Sequence, residues 1–294
     1  MIFRIGAAAV LLSATAAAAT AAGQARTSPW KSAYVNTGGI RIHYWRTGAG
    51  SGKPVMVLSH GITDNGLCWT AVARKLESDY DLVLYDARGH GLSDKPETGY
   101  TLDDHVADLV GLIRRLGVKK PILMGHSMGG AIVASAAARY PDLPRAVILI
   151  DPVFLHGRPA DPAKTAAGFR KWLESLKRKS REQLVALARK ENPQWPEAEY
   201  GPWAESKLQV SLNILQTLGS LPDLRELFPK ITAPALILKA DADAAGRKEN
   251  QKVAALLPRG KLVHVAGAGH SVHRDRPAET MRVLKQFLAG LPPL

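Results

Sequence analysis

Along the chain, short apolar runs alternate with longer stretches in which apolar residues recur every three or four positions. Gly39 to Trp45 alternates around Ile40 and Ile42, which predicts an early antiparallel strand with one solvated face. The runs Val55 to Ser59, Leu82 to Tyr85, Pro121 to Met124, Ala146 to Ile150, Ala235 to Leu238 and Lys261 to Val265 are continuous rather than alternating. Runs of that kind suit strands covered on both faces. Between them, Thr101 to Leu116 puts Leu102, Val106, Leu109, Val110 and Ile113 on one helical face. Thr101 and Asp104 have the spacing of a capping box there, and Gly117 supplies a stop. Met128 to Arg139 is an alanine-rich helix, and Pro277 to Leu288 a last helix with proline in its first turn. Strands alternating with helices predict an α/β protein with a mostly parallel sheet.

Residues 153–228 break this rhythm. They hold no strand pattern, are punctuated by Pro159, Pro162, Pro193, Pro196, Pro202 and Pro222, and carry Trp172, Trp195 and Trp203. The segment is too long for one crossover connection, which predicts a helical cap inserted between two strands of the sheet. At the other extreme, residues 1–25 join Arg4 to an apolar, alanine-rich stretch that ends in small residues. That is the layout of a secretory leader, so a periplasmic or secreted location is expected. The expected organisation is therefore a signal peptide at 1–25, a first core part at 26–152, a cap at 153–228 and a second core part at 229–294.

Composition narrows the picture. Hydrophobic residues at 46% and charged residues at 22% describe a chain with a substantial core. The net charge is +13, and the leader contributes only Arg4 to it. The densest basic run, Lys171 to Arg181, reads more simply as a solvated helix face than as a site for an acidic partner. No nucleic-acid module is visible, so no nucleic-acid partner is expected. No later segment is apolar for long enough to span a bilayer, so stable membrane insertion after leader removal is not expected. The single cysteine, Cys68, has no partner for an internal disulfide and reads as a buried apolar residue. Asp103-Asp104-His105 is the nearest approach to a metal-ligand cluster, and it fits the polar first turn of the predicted helix. With no dinucleotide fingerprint either, no metal or cofactor is expected. Oligomeric state is not encoded in any of these features.

The chemistry concentrates in a few loops. Gly125-His126-Ser127-Met128-Gly129 matches G-x-S-x-G, follows the apolar strand ending at Met124 and precedes the alanine-rich helix. A serine on such a strand-to-helix turn stands exposed above a sheet, and the following helix directs its N-terminus at developing negative charge. Ser127 is thus the candidate nucleophile. Its general base is His270, in Ala266-Gly267-Ala268-Gly269-His270 between the last strand and last helix, with His273 as rival. Three aspartates compete to orient the base: Asp243, Asp241 and Asp151. Ser127, Asp243 and His270 occur in the chain order expected of this architecture, and Asp151 preserves that order too. The backbone N–H groups of Ile62, in Ser59-His60-Gly61-Ile62, and of Met128 are the candidate oxyanion donors. His60 reads equally as a packed loop residue.

HGITDNG, YDARGHGLSD, GHSMGG, PALILKADAD and GAGH occur in order from about residue 35 onwards. With these motifs the chain resembles the α/β-hydrolase superfamily, in its branch of capped esterases, lactonases and carbon–carbon bond hydrolases. The resemblance implies a doubly wound sheet of the α/β-hydrolase type with an inserted helical cap. It also implies Asp243 as the acid, through a PxLxIxGxxD pattern in which Ala240 replaces the usual glycine, and an architectural role for Asp86 to Gly91, His90 included. Serine at the elbow departs from haloalkane dehalogenases and epoxide hydrolases, whose pattern has aspartate there. The expected function is hydrolysis of a small-molecule carboxylic ester or lactone through an acyl-serine. The alternatives are carbon–carbon bond hydrolysis of a vinylogous diketone, cofactor-free haloperoxidase or perhydrolase chemistry, and an inactive binding protein on the same fold.

Overall fold

The structure is a computed structural model that describes residues 30–152 and 161–292. The leader expected at 1–25 and the first residues of the expected cap, 153–160, lie outside the described residues. Eight strands form one sheet in the order β1-β2-β4-β3-β5-β6-β7-β8. They are β1 Lys31–Thr37, β2 Ile40–Arg46, β3 Val55–Ser59, β4 Asp81–Tyr85, β5 Ile122–His126, β6 Ala146–Ile150, β7 Ala235–Lys239 and β8 Gly260–His264. The described α-helices are α1 Thr70–Leu76, α2 Leu102–Arg115, α3 Met128–Arg139, α4 Pro162–Lys177, α5 Arg181–Glu191, α6 Glu197–Gln209, α7 Leu224–Leu227, α8 Ala244–Ala254, α9 Val272–Asp275 and α10 Pro277–Ala289.

β2 runs antiparallel to both neighbours, and the strands from β4 to β8 run parallel. Their continuous apolar runs have the reason expected of them. Val57, Val83 and Leu123 face one apolar layer with α2 and α3, while Met56, Leu82 and Met124 face a second with α1 and α10. Both faces of the sheet are covered, which is the doubly wound α/β arrangement. α2 carries the expected capping box between Thr101 and Asp104, and Gly117 follows it at φ 65°. β1 is not foreshadowed by an apolar run, because this edge strand is mostly exposed. The signal for it is Gly38-Gly39, both at positive φ (52° and 89°), which closes a two-residue hairpin onto β2.

Between β6 and β7 the described residues contain helices and no strand. α5 and α6 enclose an apolar cluster of their own around Leu184, Trp195 and Trp203. The YDARGHGLSD segment is buried scaffolding. Asp86 accepts from His43 Nδ1 (2.8 Å), Gly66 N (2.7 Å) and Leu92 N (2.9 Å). Arg88 grips Asp108 of α2 through Nε (2.6 Å) and Nη2 (2.9 Å). Among the described residues no helix is long and apolar enough to cross a membrane, and no cluster of three or more His, Cys, Asp or Glu side chains could hold a metal ion.

Candidate active site

Three adjacent strands deliver the site. β5 lies between β3 and β6, with Gly125 in register with Ser59 and His126 with Ile150. The residues just beyond these pairs are the loop starting at His60, then Ser127, then Asp151. Parallel strands end on the same side of the sheet, so all three meet in one crevice.

Ser127 sits at φ 55° and ψ −120°, a strained conformation for a residue with a side chain. Its N–H donates to Ile150 O (3.0 Å), and α3 starts at the next residue. The glycines around it are sterically required. A Cβ at Gly125 would lie 2.2 Å from Gly129 O, and one at Gly129 would lie 2.2 Å from Ser59 O. Gly129→Ala must therefore push α3 away from β3. It is expected to lose about 3 kcal/mol of stability, read as a lowered urea midpoint, together with most activity.

His270 occupies the loop between β8 and α9. Its Nε2 lies 2.9 Å from Ser127 Oγ, and its Nδ1 lies 2.5 Å from Asp151 Oδ2. A carboxylate only accepts, so Nδ1 carries the proton and Nε2 is free to accept from the serine hydroxyl. Burial works to raise the Asp151 pKa, but the hydrogen bond from His270 and the ammonium of Lys239 outweigh it and hold the carboxyl at about 2. Asp151 also accepts from Ala240 N (3.1 Å). Because its folded pKa is depressed, the stabilisation it contributes is fully present above its unfolded value and is lost progressively as pH falls from there through about 2. The acid limb of kcat/KM is therefore expected to have a slope of one down to about pH 4; a slope of two would place a second titrating carboxyl in the relay.

This geometry corrects the acid. Asp243 does not reach His270; it caps α8, with Oδ1 accepting from Gly246 N (2.7 Å). It lies four residues beyond the end of β7, where the chain has already turned into that helix. Asp241 braces the histidine loop instead, through Gly267 N (2.7 Å) and its own N–H to Ala268 O (2.9 Å). Asp151, the alternative that closes β6, stands one strand from the nucleophile and makes the bond. His273, the rival base, is buried and stacked on Trp69 with ring centroids 4.7 Å apart. Cys68 is buried, and burial pushes its thiol up to about 12.

Ile62 and Met128 both line the cavity over Ser127. Met128 is the first residue of α3, whose leading N–H groups have no partner within the helix. Ile62 belongs to a tight turn closed by Asp64 N donating to Gly61 O (3.0 Å). His90 Nε2 holds Ile62 O at 2.7 Å, and His60 Nδ1 holds Gly61 O at 2.8 Å, so both histidines brace the turn.

Comparison with known sequences decides the family. The profile described as "Alpha/beta hydrolase family" matches residues 56–283, well over half of the chain. The chain belongs to the alpha/beta hydrolase family. Among relatives of this hydrolase is 2-(acetamidomethylene)succinate hydrolase of Mesorhizobium japonicum, 32% identical over 272 residues, 86% of this chain and 94% of the relative. Another is N-formylmaleamate deformylase of Pseudomonas putida, 29% identical over 255 residues, 82% of this chain and 90% of the relative. A crystal structure of E-2-(acetamidomethylene)succinate hydrolase superposes with a TM-score of 0.70 at 28% identity, covering 89% of this chain and all of that one.

In this hydrolase the crevice opens into a cavity of about 330 Å³, walled by Phe169, Trp172, Trp195, Trp203, Leu218 and Leu221. All six come from between β6 and β7, so the insertion forms the apolar roof of the site. Two charged side chains also reach the cavity, Asp64 and Arg274, and they bond each other at 2.9 Å. They belong to a buried quartet with Lys207 and Glu199 that sequence reasoning misses. Lys207 and Glu199 sit on α6 among ordinary helix-surface residues, and no local pattern marks them as interior.

Proposed function

We propose that this hydrolase cleaves an uncharged carboxylic ester or lactone through an acyl-serine intermediate. The observation that carries the reading is the Ser127–His270–Asp151 relay placed beside two backbone donors under an apolar roof. Ser127 Oγ attacks the carbonyl carbon as its proton passes to His270 Nε2, and the oxyanion forms against the N–H groups of Ile62 and Met128. The imidazolium, steadied by Asp151, gives its proton to the leaving alkoxide oxygen as the C–O bond breaks. Water then repeats the sequence: His270 removes its proton as the hydroxide adds to the acyl carbon, and the tetrahedral adduct collapses to the acid as the imidazolium returns that proton to the leaving Ser127 Oγ. This mechanism needs no metal or cofactor.

The cavity supports an aryl or alkyl group on the substrate. Its aromatic walls favour apolar burial. Its two charged lining residues already satisfy each other, so an anionic substrate gains no unpaired cation among the described lining residues. The test is a panel of nitrophenyl esters and lactones of rising acyl size, with a succinyl half-ester for comparison. Benzoyl and hexanoyl esters are expected to exceed the succinyl half-ester by about tenfold or more in kcat/KM; the reverse order would sink the substrate assignment. A second reading, hydrolysis of an acyl–nitrogen bond, is favoured by the 29% identity to N-formylmaleamate deformylase. Matched anilides in the same panel separate the two, as does a dienone for carbon–carbon cleavage.

Trp172 lies at the outer wall with 40% of its surface exposed. Trp172→Ala should remove about 1.4 kcal/mol of apolar contact, raising KM for aryl esters about tenfold at nearly constant kcat. Steady-state kinetics on nitrophenyl benzoate checks this.

A further inference from the structure

The buried quartet joins the insertion to the chemistry. Lys207, on α6, has 0% exposure. Its ammonium donates to Thr63 O (2.7 Å), Asp64 Oδ1 (3.0 Å) and Ser206 Oγ (3.1 Å), which uses all three protons. Asp64 Oδ2 accepts from Arg274 Nη2 (2.9 Å). Arg274 also donates to Cys68 O (3.1 Å) and, through Nε, to Glu199 Oε2 (2.9 Å) at the other end of α6. Glu199 Oε1 accepts from Ala71 N (2.8 Å). Two cations and two anions thus close on one another. Such a buried set is costly to desolvate and is commonly no more stabilising than apolar packing of the same volume. Stability alone therefore gives no reason for a lysine here, and its contacts supply one.

Those contacts lead to the oxyanion turn by way of two peptide planes. A trans peptide unit fixes the C=O of one residue opposite the N–H of the next. Lys207 holds Thr63 O, and so sets the plane that carries Asp64 N–H. Asp64 N–H donates to Gly61 O (3.0 Å), and so sets the plane that carries Ile62 N–H. The Asp64 side chain, clamped by Lys207 and Arg274, fixes the same residue from its other end. We propose that Lys207 is a positioning residue that aims the Ile62 N–H at the oxyanion, so that the seating of α6 on the core is part of transition-state binding. The inference rests on the acyl-serine reading and names a residue outside its relay.

Lys207→Met is the first test, read on the ester that the wild type hydrolyses best. A donor displaced by a few tenths of an ångström to one ångström loses much of its effect, so kcat is expected to fall about 30-fold with KM within about twofold. Affinity for an aryl boronic acid, which forms a tetrahedral anionic adduct on the serine, should fall by the same factor. Affinity for benzamide, which fills the cavity without an oxyanion, should not change. A purely structural role would lower the melting temperature without separating these two ligands. The double variant Lys207→Met/Asp64→Asn restores charge neutrality and guards against a single variant that does not fold. It is expected to remain as slow as Lys207→Met, whereas recovery of wild-type kcat would reduce Lys207 to charge balance and overturn the inference. A folded Lys207→Met with kcat within twofold of wild type, or with equal losses for boronate and benzamide, overturns it as well. A wild type that turns over no ester or lactone, with Ser127 unlabelled by a fluorophosphonate, removes the acyl-serine reading and the inference with it. Labelling and turnover with an indifferent Lys207→Met removes the inference alone.

Discussion

Asp151→Asn is expected to lower kcat about 10⁴-fold while leaving KM within a small factor. The carboxylate accepts from His270 Nδ1 at 2.5 Å and thereby leaves Nε2 unprotonated toward Ser127 Oγ. An asparagine in that place turns an NH₂ or a weaker acceptor toward the ring, which favours the wrong tautomer and withdraws the charge that steadies the imidazolium. Loss of this kind in serine triads is worth about four orders of magnitude. Asp243→Ala is the matched control. It removes the cap of α8, so about 1 kcal/mol of stability should be lost with activity changed less than twofold. Initial rates and urea melts on the two variants decide between the acids. Full activity in Asp151→Asn with collapse in Asp243→Ala would reinstate Asp243.

Ser127→Ala should fall further, by about 10⁶-fold in kcat, because it removes the hydroxyl that the proposed acyl-serine route uses as nucleophile. The residual rate reports what the oxyanion donors and the cavity do unaided. Ser127→Ala should still bind benzamide, since the aromatic walls are untouched. Intact-mass spectrometry adds a direct check. Wild type mixed with a slowly deacylating ester should gain the acyl mass, and Ser127→Ala should not. An alanine variant that kept the parental rate would place the nucleophile elsewhere.

The sequence carries the parallel strands and the elbow because each is a local statement. A strand buried on both faces must be apolar throughout, and a nucleophile elbow needs its glycines within two residues of the serine. Ser127 and His270 are therefore legible from neighbours in the chain. The acid is not. Three aspartates lie in loops near strand ends, and which of them meets His270 depends on how far each loop travels before turning into a helix. Asp151 directly follows β6, the strand beside the nucleophile strand, whereas Asp243 is spent on the first turn of α8. The family pattern favours the wrong one of these, and Ala240, where that pattern has glycine, is the visible mark of departure. β1 escapes for another reason: as an exposed edge strand it has little apolar surface to advertise. The quartet escapes because a lysine on a helix is unremarked until its surroundings are known.

The position of Asp151 has a consequence for remaking this enzyme. The acid stands at the root of the helical insertion, one residue before Pro152, instead of on the far side of it. Exchanging roofs between homologues is a natural route to new specificity, and here the choice of splice point also chooses the chemistry. A graft spliced after Pro152 imports a foreign roof and leaves the relay intact. One spliced before Asp151 carries the acid away with the discarded roof. Received into a scaffold whose acid follows its seventh strand, the same fragment would bring a second carboxylate to one imidazole. Asp64 and Lys207 add a further condition, because a transplanted roof has to bring a cation to the point above Thr63.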